Sequence, residues 1–195
     1  MTIPYPIIHI NGFPGTGKLT IAKELTARLP RSTKLVHNHL LINPADAILT
    51  RSQPGYQDLR RAIRSAIFQS LIHEAATHEA AYIFTDFQST DAVGSGVCKE
   101  FEDAANQRGG PFVPIVLKCD EDANLERLIS DDRIAHGKLT NVELVKGFRE
   151  RVVVYRSEKA DNALELDVTH LSAEEAGEKI LKHLLMVCPQ LKESP

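Results

Sequence analysis

The sequence predicts an α/β domain in which a five-stranded parallel β-sheet is covered by helices on both faces. Three observations carry that expectation. Apolar runs of strand length recur at 7–10, 33–37, 81–85, 112–119 and 163–168, with helical patterns filling the intervals; strands separated by helices pair in parallel and not as hairpins. The chain has 195 residues, 43% of them hydrophobic, which is enough for one domain with a substantial core. A glycine-rich segment follows the first apolar run, at the carboxyl edge where parallel sheets collect ligands.

The first run, with Ile7, Ile8 and Ile10, leads into Gly12-Phe13-Pro14-Gly15-Thr16-Gly17-Lys18-Leu19-Thr20 and then into a helical pattern of Ile21, Leu25 and Leu29. Glycines at 12, 15 and 17 let the backbone curl with its N–H groups inward, and a helix opening at Gly17 adds the positive end of its dipole. Lys18 supplies a full charge at the outer phosphates, so the segment reads as a phosphate-binding loop. The usual pattern puts Ser or Thr directly after the lysine to ligate magnesium. Here Leu19 takes that place and the hydroxyl arrives at Thr20.

The second run, Lys34-Leu35-Val36-His37-Asn38-His39, delivers polar side chains to its carboxyl end and is followed by Asn43-Pro44-Ala45-Asp46. His37 and His39 share one face if the strand persists. Core or capping roles, hydrogen bonding to a ligand, and a metal site short of a third ligand are the readings open for them. After the Gln53-Pro54-Gly55 turn, the longest helical segment, about 56–80, carries Leu59, Ile63, Ala66, Ser70 and Leu71 on one side, flanked by Arg60, Arg61 and Arg64. These arginines suit the clamping of an anionic ligand, with solvent exposure expected for at least one of them.

The third run ends in a carboxylate, Asp86, beside the first loop. There it can hold the water shell of a metal or accept the proton of an attacking hydroxyl, the plain alternative being a cap on the next turn. A Gly109-Gly110-Pro111 turn precedes the fourth run, which ends in Cys119-Asp120-Glu121-Asp122. Basic residues at 127, 133 and 138 then fall on a short helix and a loop with Gly137. That pattern fits a lid closing over a transferring phosphate, or a solvated charged surface. The closing helix starts after Ser172, with Glu174 and Glu175 in its first turn and Ala176, Ile180 and Leu184 on one face.

Net charge of −3 and a pI near 6.2 provide no basic field for a polynucleotide. Three cysteines at 98, 119 and 188 lack the spacing of a disulfide framework or a zinc site. The N-terminus carries no targeting pattern and no run of eighteen apolar residues occurs. A cytoplasmic protein without nucleic-acid or membrane partners is expected.

The loop in the form G-x-P-G-x-G-K-x-T, the strand ending at Asp86, the basic 127–138 region and the closing Leu164-Glu165-Leu166-Asp167-Val168-Thr169 strand with Leu171-Ser172-Ala173-Glu174-Glu175 resemble the P-loop kinases of nucleoside-monophosphate-kinase fold. The likeness is nearest to the small subgroup with gluconate-kinase, chloramphenicol-phosphotransferase and zeta-toxin-like members. It spans nearly the whole chain and implies a single three-layer P-loop NTPase domain over 1–195, with strand order 2-3-1-4-5 and a short lid at about 127–140. It further implies ATP and magnesium, with the loop residues Gly12, Phe13, Pro14, Gly15, Thr16, Gly17, Lys18, Leu19 and Thr20 around the phosphates. Thr20 would contact inner phosphate, Asp86 with Thr20 would hold the metal through water, and Arg127 and Arg133 would face the transferring group. A small polar acceptor is expected against His37, Asn38, His39, Asp46 and Arg64. Asn141 stands where related sequences often have an acid. The resemblance does not fix the acceptor, and it leaves two rivals: a nucleotide-dependent switch with slow hydrolysis, and a zeta-toxin-like kinase of a sugar nucleotide.

Overall fold

A computed structural model describes residues 3–128, 142–157 and 161–192. Its strands are β1 (Ile7–Asn11), β2 (Lys34–His37), β3 (Tyr82–Asp86), β4 (Phe112–Lys118) and β5 (Leu164–Asp167). They form one parallel sheet in the order β2-β3-β1-β4-β5, the expected 2-3-1-4-5. The helices are α1 (Lys18–Arg28), α2 (His39–Asp46), α3 (Tyr56–His73), α4 (Ala75–His78), α5 (Ala92–Arg108), α6 (Glu121–Leu128), α7 (Val142–Arg151) and α8 (Ala173–Val187), with a 3₁₀ turn at Pro189–Lys192.

Every residue of β1 and β3 is buried, because helices cover both faces. Side chains alternate between two cores as the strand period of two requires. Ile8, Ile10, Ile83, Ile115 and Leu117 pack with Ile21, Leu25, Ile180 and Leu184 from α1 and α8. Ile7, Tyr82 and Phe84 pack with Phe68 and Leu71 of α3 and Val97 and Phe101 of α5. Each large apolar side chain taken wholly out of water contributes about 1.5–3 kcal/mol. The edge strands β2 and β5 have four residues each, with Lys34 on one and Glu165 and Asp167 on the other. Glu165 pairs with Lys118 and, at 3.4 Å, with Arg156.

Two local readings of the sequence need correction. The helical segment expected over 56–80 is two helices, divided at Glu74, which is extended at φ −89° and ψ 107°. The buried line of α3 runs through Tyr56, Arg64, Phe68 and Leu71, while Ala66 and Ser70 face solvent. Arg64 occupies the apolar line because Glu100 of α5 neutralises it at 2.6 Å. Likewise β2 ends at His37, and Asn38 is the N-cap of α2, so His37 and His39 do not share a strand face. All three cysteines are free and buried. Among the described residues, no helix is long and apolar enough to cross a membrane.

His9, in the middle of β1, is 2% exposed and stacks on Phe101 with ring centroids 4.2 Å apart. Burial lowers its pKa to about 4, the nearby Lys18 charge adding to the shift and the Asp86 charge opposing it. Between pH 6.5 and about 4 the unfolded chain therefore binds a proton that the folded chain refuses. This single group should lower stability on acidification through that window by at most about 1.4 kcal/mol per pH unit, with its contribution intact above pH 6.5. Chemical denaturation as a function of pH checks this: His9→Phe should flatten that part of the profile, and an unchanged slope would refute the assignment.

Candidate active site

β1 and β3 are paired in register with Asn11 opposite Asp86. The pairing brings the start of the glycine loop and the strand-terminal carboxylate to one point on the sheet's carboxyl edge. Residues 12–17 turn the chain, and Gly17 caps α1 in the left-handed region at φ 84°. At two further places in this turn a close approach of other segments excludes any side chain. A Cβ on Gly12 would stand 2.7 Å from the Leu117 carbonyl oxygen of β4, and one on Gly15, at φ 91°, would stand 2.5 Å from Nδ2 of Asn124. Lys18 Nζ donates to the carbonyls of Gly12 at 2.5 Å and Phe13 at 2.7 Å, and also to Thr16 Oγ1 at 3.4 Å. Its charge is thereby held within the loop. Thr16 is buried and donates to the Phe13 carbonyl at 3.0 Å. Phe13, Pro14 and Leu19 are half-buried, and Thr20 is exposed on the first turn of α1.

Asp86 is 5% exposed, and both its oxygens are engaged. Oδ1 accepts from the Phe87 amide at 2.8 Å and Oδ2 from Gln88 Nε2 at 2.6 Å. Its negative charge reaches the Cys98 thiol, which burial and, secondarily, that charge push far above the usual thiol range. Phe87 faces Phe13 across the loop, with ring centroids 5.3 Å apart.

Three residues that sequence reasoning passed over complete the loop's surroundings. Gln88 orients Asp86 as described. Asn124 of α6 is fully buried and donates from Nδ2 to the Pro14 carbonyl at 2.7 Å. Arg149 of α7 donates to Asn124 Oδ1 at 3.1 Å and to the Cys119 carbonyl at 3.0 Å, while its guanidinium lies 5.3 Å from the centroid of the Phe13 ring. Asn124 and Arg149 stand among charged neighbours on their helices, Asn124-Leu125-Glu126-Arg127 and Arg149-Glu150-Arg151, and read as solvated surface. For Gln88 a signal existed: two places beyond Asp86, an extended chain returns a side chain to the same face.

The expected lid falls largely on residues 129–141, which with Arg133 lie outside the described residues. Arg127 is described, and its guanidinium donates to the carbonyls of Val168 and Thr169, both at 2.9 Å. It therefore joins α6 to the carboxyl end of β5.

On the opposite side of the loop, His37 ends β2, Asn38 caps α2 and His39 opens it. The two imidazole centroids are 6.2 Å apart, and His39 Nδ1 lies 3.3 Å from Asn43 Oδ1. Asp46 closes the helix, accepting from the buried Tyr56 hydroxyl at 2.6 Å and from Arg51 at 3.4 Å. The Tyr56 hydrogen bond, with Arg51 beside it, holds the Asp46 carboxyl below the ordinary range. Arg60 places its guanidinium 6.0 Å from the Tyr56 ring. Arg64 does not join this group: with Arg61 at 3.4 Å it holds Glu100 between α3 and α5. Among the described residues, no three His, Cys, Asp or Glu side chains converge as a metal cage.

A family model described as an AAA domain matches residues 8–144, well over half of the chain. The chain belongs to the AAA domain family. No curated protein matches it. Among solved structures, a gluconokinase from Sinorhizobium meliloti 1021 superposes on this AAA-domain chain with a TM-score of 0.60 at 15% identity, covering 98% of each chain. A sugar kinase from Janibacter sp. HTCC2649 gives 0.60 at 15%, covering 96% of this chain and 98% of its own. The thymidylate kinase from Candida albicans gives 0.57 at 15%, covering 96% and 94%. At these identities the likeness establishes the fold alone: the AAA-domain protein has the α/β architecture that these kinases share.

Proposed function

We propose that this protein is an ATP-dependent phosphotransferase that moves the γ-phosphoryl group to a hydroxyl of a small polar metabolite. The observation that carries the reading is the register of β1 with β3, which sets the Lys18 loop beside Asp86 at one edge of the sheet. Loop amides and Lys18 bind the phosphates, and the α1 dipole adds to their attraction. Asp86 and the Thr20 hydroxyl offer hard oxygen donors of the kind magnesium takes together with water and phosphate, so the donor set fits that ion. Bound there, magnesium would neutralise nucleotide charge.

In the transfer, the acceptor oxygen forms a bond to the γ-phosphorus as the bond from phosphorus to the β,γ-bridging oxygen breaks. ADP leaves, and the hydroxyl proton passes to Asp86 or to water. Arg149 brings positive charge against the loop, and Arg133 is assigned to closure over the phosphates. Arg127 acts here as a tie between α6 and β5.

The acceptor is assigned to the side formed by His37, Asn38, His39 and Asp46, with Arg60 taking the place expected of Arg64. The gluconokinase, sugar kinase and thymidylate kinase that share the fold are named for small acceptors, and a net charge of −3 disfavours a polynucleotide. ADP release measured across a panel of sugars, sugar acids, nucleosides and sugar nucleotides tests the reading. Release that requires one acceptor supports it, and acceptor-independent release supports the switch. With the true acceptor, His39→Gln should raise its KM on the order of tenfold and leave the KM for ATP unchanged. An effect on melting alone would remove His39 from the site.

A further inference from the structure

We propose that Asn11 is a positioning residue that sets Lys18 and Asp86 relative to each other and ties both to the segment leaving α7. The inference rests on the phosphotransferase reading of that edge. Asn11 is 2% exposed and uses its whole hydrogen-bonding capacity. Oδ1 accepts from the amides of Gly12 at 2.9 Å and Gln88 at 2.8 Å. Nδ2 donates to the carbonyls of Gln88 and Tyr155, both at 2.9 Å. Turning the amide over would set its NH₂ against two N–H groups and its oxygen against two carbonyls, so only one orientation is satisfied. Packing alone does not call for asparagine at the end of a buried strand; the four backbone groups do.

Each partner leads to a working group. Gly12, whose amide Asn11 holds, receives Lys18 on its carbonyl. Gln88, pinned by Asn11 at both its N–H and its carbonyl, orients Asp86 through Nε2. Tyr155 also donates its amide to the Gln88 carbonyl at 2.9 Å, and the Thr90 amide reaches the Val153 carbonyl at 2.9 Å, so the chain after α7 is sewn to the loop after β3. That same helix lays Arg149 on Phe13. Beside these backbone contacts, Asn11 is the side chain that touches Gly12, Gln88 and Tyr155 together, so a displacement of the chain after α7 reaches the carriers of both Lys18 and Asp86 through it.

Hydrogen exchange with a non-hydrolysable ATP analogue tests the coupling without requiring turnover. In the wild type the analogue should slow exchange in the glycine loop and also at 88–90 and 153–155; in Asn11→Ala the slowing should stay within the loop. Asn11→Asp, which keeps the size and the accepting oxygen but loses both donors, should lose the effect at 153–155 and serves if the alanine variant folds poorly. In steady state, Asn11→Ala should lower kcat on the order of tenfold with the KM for ATP within about twofold. Placed on Asp86→Asn, it should cost a smaller factor than on the wild type, because the part of its effect that acts through Asp86 is already lost and only the part through Gly12 and Lys18 remains. Unchanged spread of protection in both variants, or an equal factor with and without Asp86, would overturn the proposal. If the wild type phosphorylates no acceptor, the functional reading fails while the exchange result still decides the role of Asn11.

Discussion

Lys18→Ala should abolish phosphoryl transfer and weaken ATP binding by about 10–100-fold while the melting temperature moves only slightly. The magnitude follows from losing a charged donor to phosphate oxygens, worth about 1.5–3 kcal/mol. The fold should survive because Lys18 is half-buried and stands outside the two apolar cores of the sheet, and Phe13, one of its two carbonyl partners, is half-buried as well. Calorimetric titration with ATP, run beside ADP release and a thermal melt, separates the two effects. Full affinity and turnover in the variant would mean that the loop does not bind nucleotide phosphate.

Asp86→Asn should reduce turnover on the order of a hundredfold, with only a modest loss of ATP affinity. The carboxylate here accepts from Phe87 and Gln88 on its two oxygens. An asparagine keeps one accepting oxygen and turns the other position into a donor, which faces the donor of Gln88 or of Phe87 unless that partner moves. The charge that would attract a metal's water shell, or take the acceptor's proton, is lost at the same time. Titrating magnesium against rate distinguishes the roles. A variant that needs much more magnesium has lost a metal ligand, whereas one with an unchanged requirement and a lowered maximum has lost a base. Wild-type turnover in the variant would exclude both.

The strand order, a property of distant pairings, was implied only by the resemblance to the P-loop kinases. The parallel sheet and the glycine loop were legible because each rests on short-range pattern: apolar runs of strand length, glycine spacing, and a lysine at the opening of a helix. Asp86 was legible for the same reason, as a carboxylate closing an apolar run. What escaped the sequence lies in contacts between distant segments. Nothing near Asn124 in the chain shows that its amide meets Pro14, 110 positions earlier, and nothing near Asn11 points to Tyr155. Arg64 misled for a related reason. Its place beside Arg60 and Arg61 suggested a cationic cluster, but neutralisation by Glu100 of another helix lets it enter the apolar line of α3. The division at Glu74 was hidden as well, since the helical pattern on either side continues through it.

The sheet's borders bear on how the protein behaves in a crowded solution. A parallel sheet left open at its sides is a template on which a second molecule can add a strand. Here both outermost strands are only four residues long. An incoming chain at β5 would have to strip water from Glu165 and Asp167 and disrupt the pairing of Glu165 with Lys118 and Arg156; at β2 it would meet exposed Lys34. Charge at both rims thus guards the fold against strand-by-strand aggregation, and neutral substitutions at Lys34 and Glu165 would remove that guard without touching the chemistry at the carboxyl edge.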